Sequence, residues 1–313
     1  MSASNFPNRP ILSLALRPAR EEDGARLNQA LLEIASQKTS IEVSVGPVEN
    51  EFIVSVMSVS DLESTRGQLQ YDYKIDIECD PPKVIYLETI RKPAEAQGKY
   101  IRQTGGSGNY GHCKIRIEPN RSGAGNRFIN QIQNGSIPAQ YISAIEQGVR
   151  EALHSGILRG YPIVDVRITL LDGSHHETDS NEMAFQFAGS IACKEAARLA
   201  SPVLLEPMMN IEIPVSEELS GTVLKEISAR RGRVETTEHV AGLEIITAIL
   251  PIAEILDHKS GILSELPMDF AGYEPIAGNG PFGGDNAGVT ANKPSQPGPG
   301  HGSASAHPDS ESN

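Results

Sequence analysis

The chain has 313 residues, 39% of them hydrophobic, with 40 acidic side chains against 27 basic ones and a net charge of −13. This content supports cores for two or three domains and excludes a wholly disordered chain, while the acidic balance argues against a simple basic nucleic-acid binder. No apolar run approaches the roughly 20 residues of a membrane span, and residues 1–10 show neither the basic start nor the apolar core of a signal peptide.

Residues 1–9 read as a flexible N-terminus. Residues 11–16 alternate like a strand. Residues 21–37 follow as a helix, with Leu27, Leu31 and Ile34 at helical spacing and acids at its start. Ile41, Val43 and Val45 alternate, and Ile53, Val54 and Val56 form a second β-rich run across a polar turn at 46–50. Residues 60–70 suit a helix capped by Asp61, and Tyr73, Ile75 and Ile77 alternate again. The order βαββαβ predicts a ferredoxin-like domain over 10–82. Asp80, Pro81 and Pro82 then break the chain.

A second domain is expected over 83–205, with strands at 84–89 and 113–118 and a Gly/Asn/Arg-rich loop at 119–127. Residues 137–154 form an amphipathic pattern with Tyr141, Ile145, Val149 and Leu153 on one face. Pro138 falls in the first turn, where a missing N–H costs nothing, and Gly156 and Gly160 end the helix. Residues 163–171 read as an apolar strand. Asp179 and Glu182 give an Asp-x-x-Glu cap pattern for a helix over 180–199, with Met183, Phe187, Ile191 and Leu199 as its core face.

A third domain is expected over 206–275. It has a strand at 209–215 and a helix at 217–230 that turns Leu219, Val223, Leu224 and Ile227 inward. Arg230, Arg231 and Gly232 close that helix. Paired strands follow at 234–237 and 243–250; after 252–256 the pattern shortens, and 268–270 reads as a last strand. This is a second βαββαβ order with an abbreviated second helix. Residues 276–313 are rich in Gly, Pro, Ser, Ala and Asn and are predicted to be a disordered tail. The fold class is α+β.

Gly106, Ser107, Gly108, Asn109, Tyr110 and Gly111 match Gly-x-Gly-x-x-Gly, yet a dinucleotide site needs a helix next and 112–117 alternates like a strand. A glycine-rich hairpin tip is the better reading. His175, His176, Glu177 and Asp179 invite a metal-site reading, but adjacent histidines in an extended loop point to opposite sides. Ser180 with His176 and Asp179 lacks a nucleophile elbow, so a hydrolase is not expected. Cys79, Cys113 and Cys193 are odd in number and far apart, which fits the cytoplasm better than a disulfide or zinc framework.

Long segments resemble bacterial elongation factor G, in that family's order. The stretch from Phe6-Pro7 through Leu16-Arg17-Pro18 resembles the start of its third domain. Tyr86-Leu87-Glu88-Thr89-Ile90-Arg91-Lys92-Pro93 and the run from Gly98-Lys99-Tyr100 to Gly105-Gly106 resemble its fourth. Gly135-Ser136-Ile137-Pro138, Gly160-Tyr161-Pro162, Glu182-Met183-Ala184-Phe185, Pro202-Val203-Leu204-Leu205-Glu206-Pro207 and Ala229-Arg230-Arg231-Gly232 look like further family segments.

The resemblance implies ferredoxin-like first and third domains around a split βαβ domain of the ribosomal-protein kind. It implies ribosome binding, with tip loops contacting the A-site tRNA and mRNA backbone and rRNA. Those loops would be Gly105, Gly106, Ser107, Gly108, Asn109, Tyr110 and Gly111, facing Ser174, His175, His176, Glu177 and Asp179. His176 falls at the family's tip histidine. Glycines would let backbone N–H groups approach phosphates, and His and Asn would bond ribose and phosphate oxygens without sequence choice. Arg230, Arg231 and Arg233 support two readings equally: contact with ribosomal RNA, or a basic helix end balancing the dipole.

No Gly-x-x-x-x-Gly-Lys-Ser/Thr occurs, so no cofactor site is expected, and GTP would act only through a GTPase domain supplied in trans. The chain by itself is then expected not to be an enzyme. Ser107 stands where the family usually carries Arg, residues 56–63 replace a Gly-x-Gly-Glu-Leu-His-Leu-Glu pattern, and 257–269 is shorter than expected. The competing expectation is a repurposed paralogue that serves as a general RNA-binding or interaction module.

Overall fold

The computed structural model describes residues 9–104, 107–133, 135–240, 242–256 and 266–276, without the side chains of 103, 104 and 107. The expected tail beyond Ile276, the N-terminus before Arg9 and the shortened stretch 257–265 lie outside the described residues.

The first unit runs β1 (Leu12–Pro18), α1 (Gly24–Gln37), β2 (Ile41–Val45), β3 (Phe52–Val56), α2 (Val59–Tyr71) and β4 (Ile77–Cys79). Its antiparallel sheet has the order β2-β3-β1-β4, which is the ferredoxin-like arrangement. Leu27, Leu31 and Ile34 are buried beneath it as their spacing predicts. The cap of α2 differs from expectation. Ser58 is the N-cap and accepts from the Asp61 amide at 3.0 Å. Asp61 sits three residues in and accepts from the Ser58 hydroxyl at 2.8 Å, so the two satisfy each other. Ile75 is buried but precedes the short β4 rather than lying in it.

The run expected as one strand at 84–89 divides. β5 (Lys83–Val84) pairs with β1, whereas β6 (Leu87–Ile90) pairs with residues 202–205 of the third sheet. The segment therefore stitches two sheets together.

The second unit contains β7 (Ala94–Thr104), β8 (Ser107–Pro119), β9 (Arg127–Asn130), α3 (Ile142–Ser155), β10 (Val166–Ser174) and α4 (Glu182–Leu199). The sheet order is β7-β8-β10-β9, and β9 lies parallel to β10 across the α3 connection. Neither β7 nor β9 was expected from the sequence. Gln97, Gly98 and Lys99 interrupt the apolar alternation of β7, and β9 has four residues only.

The core face of α4 is also not the one expected. Met183, Phe187, Ile191 and Leu199 are exposed, at 51%, 45%, 37% and 58%. The helix instead buries Ala184, Phe185, Ala188, Gly189, Ala192, Cys193, Ala196 and Ala197. The reason is backbone proximity. A Cβ added at Gly98 would collide with the Ala188 carbonyl, and one at Gly148 with the Gln186 carbonyl. Only small residues fit where α4 lies this close to β7 and α3.

The third unit contains β11 (Pro202–Val215), α5 (Glu217–Ala229), β12 (Arg233–Val240), β13 (Leu243–Pro251), α6 (Ile252–Leu256) and β14 (Met268–Pro275). Its order, β12-β13-β11-β14, repeats that of the first sheet. α5 buries Val223 and Ile227, while Leu219 and Leu224 are exposed rather than inward. One continuous buried cluster joins the first and third units, running from Leu12 and Val54 through Leu87 and Leu205 to Met209 and Ile246. Among the described residues no helix is long and apolar enough to cross a membrane.

Candidate functional site

The two loops singled out in the sequence meet at one end of the second unit. β7 and β8 form a long antiparallel pair in which Thr104 opposes Ser107, and Gly105 and Gly106 lie outside the described residues. On the other side of β8, β10 pairs as far as Ser174 opposite His112. Asp172, Gly173 and Ser174 thus belong to a strand, past a bulge after Leu170, and the true loop starts at His175.

That loop returns to β8 through three contacts. The Gly108 amide donates to the Asp179 carboxylate at 3.1 Å, and the Tyr110 amide donates to the Asp179 carbonyl at 2.7 Å. The Asn181 side-chain amide donates to Asn109 Oδ1 at 2.7 Å. Asp179 is therefore a loop-to-hairpin tie rather than a helix cap. The cap of α4 is Asn181, whose Oδ1 accepts from the Ala184 amide at 2.9 Å. Asn181 takes this role because its backbone is extended there, immediately before the first helical residue.

Within the loop, the His176 amide donates to Ser180 Oγ at 2.9 Å and the Ser180 amide donates to the His176 carbonyl at 3.2 Å. His176 Nδ1 lies 3.1 Å from Thr178 Oγ1 and 3.5 Å from Asp179, and its side chain is 58% exposed. His175 lies on another side, with Nδ1 3.1 Å from the Ser136 carbonyl. Glu177 is exposed. The arrangement presents one histidine on a short, internally braced loop beside the tip of a hairpin.

A second network supports the tip. The Ser174 hydroxyl bridges Tyr110 Oη and His112 Nδ1, each at 2.8 Å, and His112 Nε2 lies 3.2 Å from Gln97 Oε1. Burial, reinforced by the nearby Lys99 ammonium, holds the His112 pKa below its ordinary value. Lys99 itself lies over the Tyr110 ring at 5.9 Å.

Gly108 and Gly111 meet a packing need within the chain. A Cβ on Gly111 would collide with the Ala184 carbonyl, and one on Gly108 would lie 2.7 Å from the Asp179 carboxyl carbon. Both positions are occupied from inside the protein, so their lack of a side chain serves packing.

Arg230, Arg231 and Arg233 lie at the end of α5 and the start of β12, away from the tip elements. Arg230 pairs with Glu226. Arg231 forms a fork with both oxygens of Glu206 and also reaches Glu254 at 2.7 Å. Arg233 grips Glu274 through two nitrogens, at 2.6 and 2.7 Å. All three guanidinium groups are engaged within the chain.

Sequence reasoning missed the residues that hold the second unit in place. Glu88 is fully buried, and its carboxylate accepts from four backbone amides: Ile157 at 2.6 Å, Leu158 at 3.0 Å, Arg159 at 2.8 Å and Tyr161 at 3.2 Å. Because β6 pairs with β11, this carboxylate fastens the 157–161 loop to the third sheet. Asp165 likewise collects the Gly123 and Gly125 amides at 2.9 and 2.8 Å and shapes the 119–127 loop. The available signal was a lone acid inside an apolar run, Leu87-Glu88-Thr89-Ile90 and Val164-Asp165-Val166. Such an acid must be fully hydrogen-bonded to be buried.

Comparison with known proteins agrees with this arrangement. The family description "Elongation factor G, domain IV" matches residues 82–201, and "Elongation factor G C-terminus" matches residues 203–280. A crystal structure of a protein from Thermus thermophilus is similar, with 34% identity and a TM-score of 0.63. The similarity covers 88% of this chain and 42% of that protein, so this chain spans less than half of its length. Of the three α+β units, the second, with its braced tip, and the third match translation-factor domains. The chain belongs to the elongation factor G family through that family's domain IV and C-terminal domain.

Proposed function

We propose that this protein binds the ribosome and places its tip, the β7–β8 hairpin with the 175–181 loop, in the A site against tRNA and mRNA backbone. The observation that carries this reading is the tip itself. Three hydrogen bonds lock Gly108, Asn109 and Tyr110 to Asp179 and Asn181, and the His176 side chain is exposed on the same braced loop. A rigid tip of this kind loses little ordering entropy when it meets RNA. The family match over 82–201 supports the assignment of this domain to that task.

The protein acts here as a binder rather than a catalyst, needs no cofactor of its own, and works in the cytoplasm. A role in translocation would depend on a GTPase domain acting in trans. The domains divide near residues 82 and 205, with 10–82, 83–205 and 206–275 corresponding to the third, fourth and fifth domains of the family. Ser107 in place of the family's usual Arg removes one phosphate-pairing charge from the hairpin. The interaction therefore rests more heavily on His176 and Asn109.

The test is co-sedimentation of the purified chain with ribosomes, with intact elongation factor G as competitor and a His176→Ala/Asn109→Ala variant alongside. Displacement by the intact factor and weaker binding of the variant are expected. A folded chain that fails to bind ribosomes at low salt defeats the proposal. Equal binding to any structured RNA would favour a repurposed RNA-binding module instead.

A further inference from the structure

The face of the second sheet opposite α4 carries a row of cations, of which only Lys99 touches the network behind the tip. Strand register defines it. Cys113, Ile115 and Ile117 of β8 point to the core, so His112, Lys114, Arg116 and Glu118 point outward. Cross-strand partners share a face. Lys99 opposes His112, Gln97 opposes Lys114, and Glu95 opposes Arg116 on β7. On β10, Asp172 opposes Lys114 and Arg167 opposes Glu118, and Arg127 of β9 opposes Arg167.

The cations fall on a diagonal: Lys99 on β7, Lys114 and Arg116 on β8, Arg167 on β10 and Arg127 on β9. Steps between neighbours are about 5–8 Å, from the strand spacing and the two-residue repeat. Five cations face three carboxylates, Glu95, Glu118 and Asp172. The face thus has a surplus of two positive charges in a chain whose net charge is −13. The carboxylates hold Lys114 at 2.8 Å from Glu95, and Arg116 and Arg167 each 3.1 Å from Glu118. Lys99 and Arg127, at the two ends of the diagonal, have no salt bridge among the described residues. Ile101, two residues from Lys99 on β7, and Ile129, two residues from Arg127 on β9, are exposed on the same face. Helix α4 packs on the other side, and on this one Glu95, Lys99, Arg116, Arg127, Arg167 and Asp172 are exposed while Thr169 is buried among them.

We infer that this open sheet face is a second RNA-binding surface, on which the diagonal of cations follows an RNA phosphate backbone without reading sequence. Segregated charge resolves the apparent conflict between an acidic chain and an RNA partner. The −15 carried by the remainder repels RNA from the other surfaces and leaves this face as the docking side. Contact here would hold the body of the domain against RNA while the tip reaches further in. The inference draws on the proposed function only for the presence of RNA and stands apart from the tip.

The test uses the full chain and two probes, a 16-base-pair RNA duplex and a 16-nucleotide single strand, each titrated across salt. The variants are Lys99→Gln/Lys114→Gln/Arg127→Gln, the tip variant His176→Ala/Asn109→Ala, and Lys225→Gln on α5 as a control. The wild type should bind at least one probe with steep salt dependence. The triple variant should lose on the order of tenfold or more in affinity, and its slope of log K against log salt should flatten by about 2–3. The Lys225→Gln control should bind like wild type, and the tip variant, which removes no lysine or arginine, should keep the wild-type salt slope. The surface positions leave the melting temperature as a check on folding. Failure of the wild type to bind either probe, or unchanged affinity and slope in the folded triple variant, overturns the inference. Loss of ribosome binding in the tip variant with probe binding retained separates this surface from the tip.

Discussion

The Gly108 amide and the Asp179 carboxylate meet at 3.1 Å across 71 residues of sequence, and this contact makes one tip out of two loops. A Cβ at Gly108 would press into the same carboxyl group, so the pair admits no side chain on its β8 partner. Asp179→Ala should release the loop while leaving the sheet intact. The expected stability loss is about 1 kcal/mol, because water replaces the lost acceptor at this partly exposed site. Hydrogen exchange at the Gly108 amide should rise and ribosome binding should fall. Unchanged exchange at that amide would contradict the proposed tie.

The glycines beneath α4 are packing residues, and a matched pair of substitutions tests it. Gly111→Ala drives a methyl group into the Ala184 carbonyl and should cost about 1–3 kcal/mol or more in thermal melts. Gly221→Ala lies in α5 with nothing within 4 Å of the new methyl, and should stabilise by about 0.5–1 kcal/mol. If both changes move the melting temperature alike, close packing is not the reason for Gly111.

Glu88 anchors the second unit to the third sheet through four amides. Glu88→Ala leaves those donors without their acceptor in a buried site, at a cost of about 1–3 kcal/mol for each one that water fails to reach. We expect a loss on the order of 3 kcal/mol or more, measured by denaturant unfolding. A loss below about 1 kcal/mol would show that the 157–161 loop does not depend on this carboxylate.

Two arginines two positions apart should behave differently. Glu206 is nearly fully buried, so Arg231→Ala strands its charge and should cost about 3–5 kcal/mol. Arg233 and Glu274 are both more than 40% exposed, so Arg233→Ala should cost about 0–1 kcal/mol. Chemical denaturation of the two variants distinguishes them.

His112 gives the stability a pH dependence of definite sign. Its folded pKa lies below the unfolded value of 6.5. Between those two values the unfolded chain holds more protons, so stability is full above about pH 6.5 and declines as pH falls below it. His112→Gln should flatten that decline in melts between about pH 7.5 and 5. An unaltered profile would assign the acid sensitivity to other groups.

Much of the architecture was legible in the residues because it rests on local rules. The two βαββαβ orders follow from alternation and helical spacing, and Leu27, Leu31, Ile34, Val223 and Ile227 are buried where periodicity places them. The two tip segments were legible as polar and glycine-bearing and their family segments as a resemblance, but 107–111 and 172–174 lie in strands rather than loops. The failures share a cause. Met183, Phe187 and Ile191 have the spacing of a core face, yet α4 turns its alanines inward because Gly98 and Gly148 bring other backbones too close for large side chains. Asp179 has the spacing of a cap, yet it serves a hairpin 71 residues away.

Periodicity and capping are short-range signals, so composition and order determined the fold class, the number of sheets and the presence of two candidate loops. Partnership between distant residues is set by how closely elements pack and where each buried polar group finds its hydrogen bond. Only the tertiary structure decided that β6 belongs to the third sheet, that Glu88 binds the 157–161 loop, that the three arginines near α5 are already paired, and that five cations share one open face.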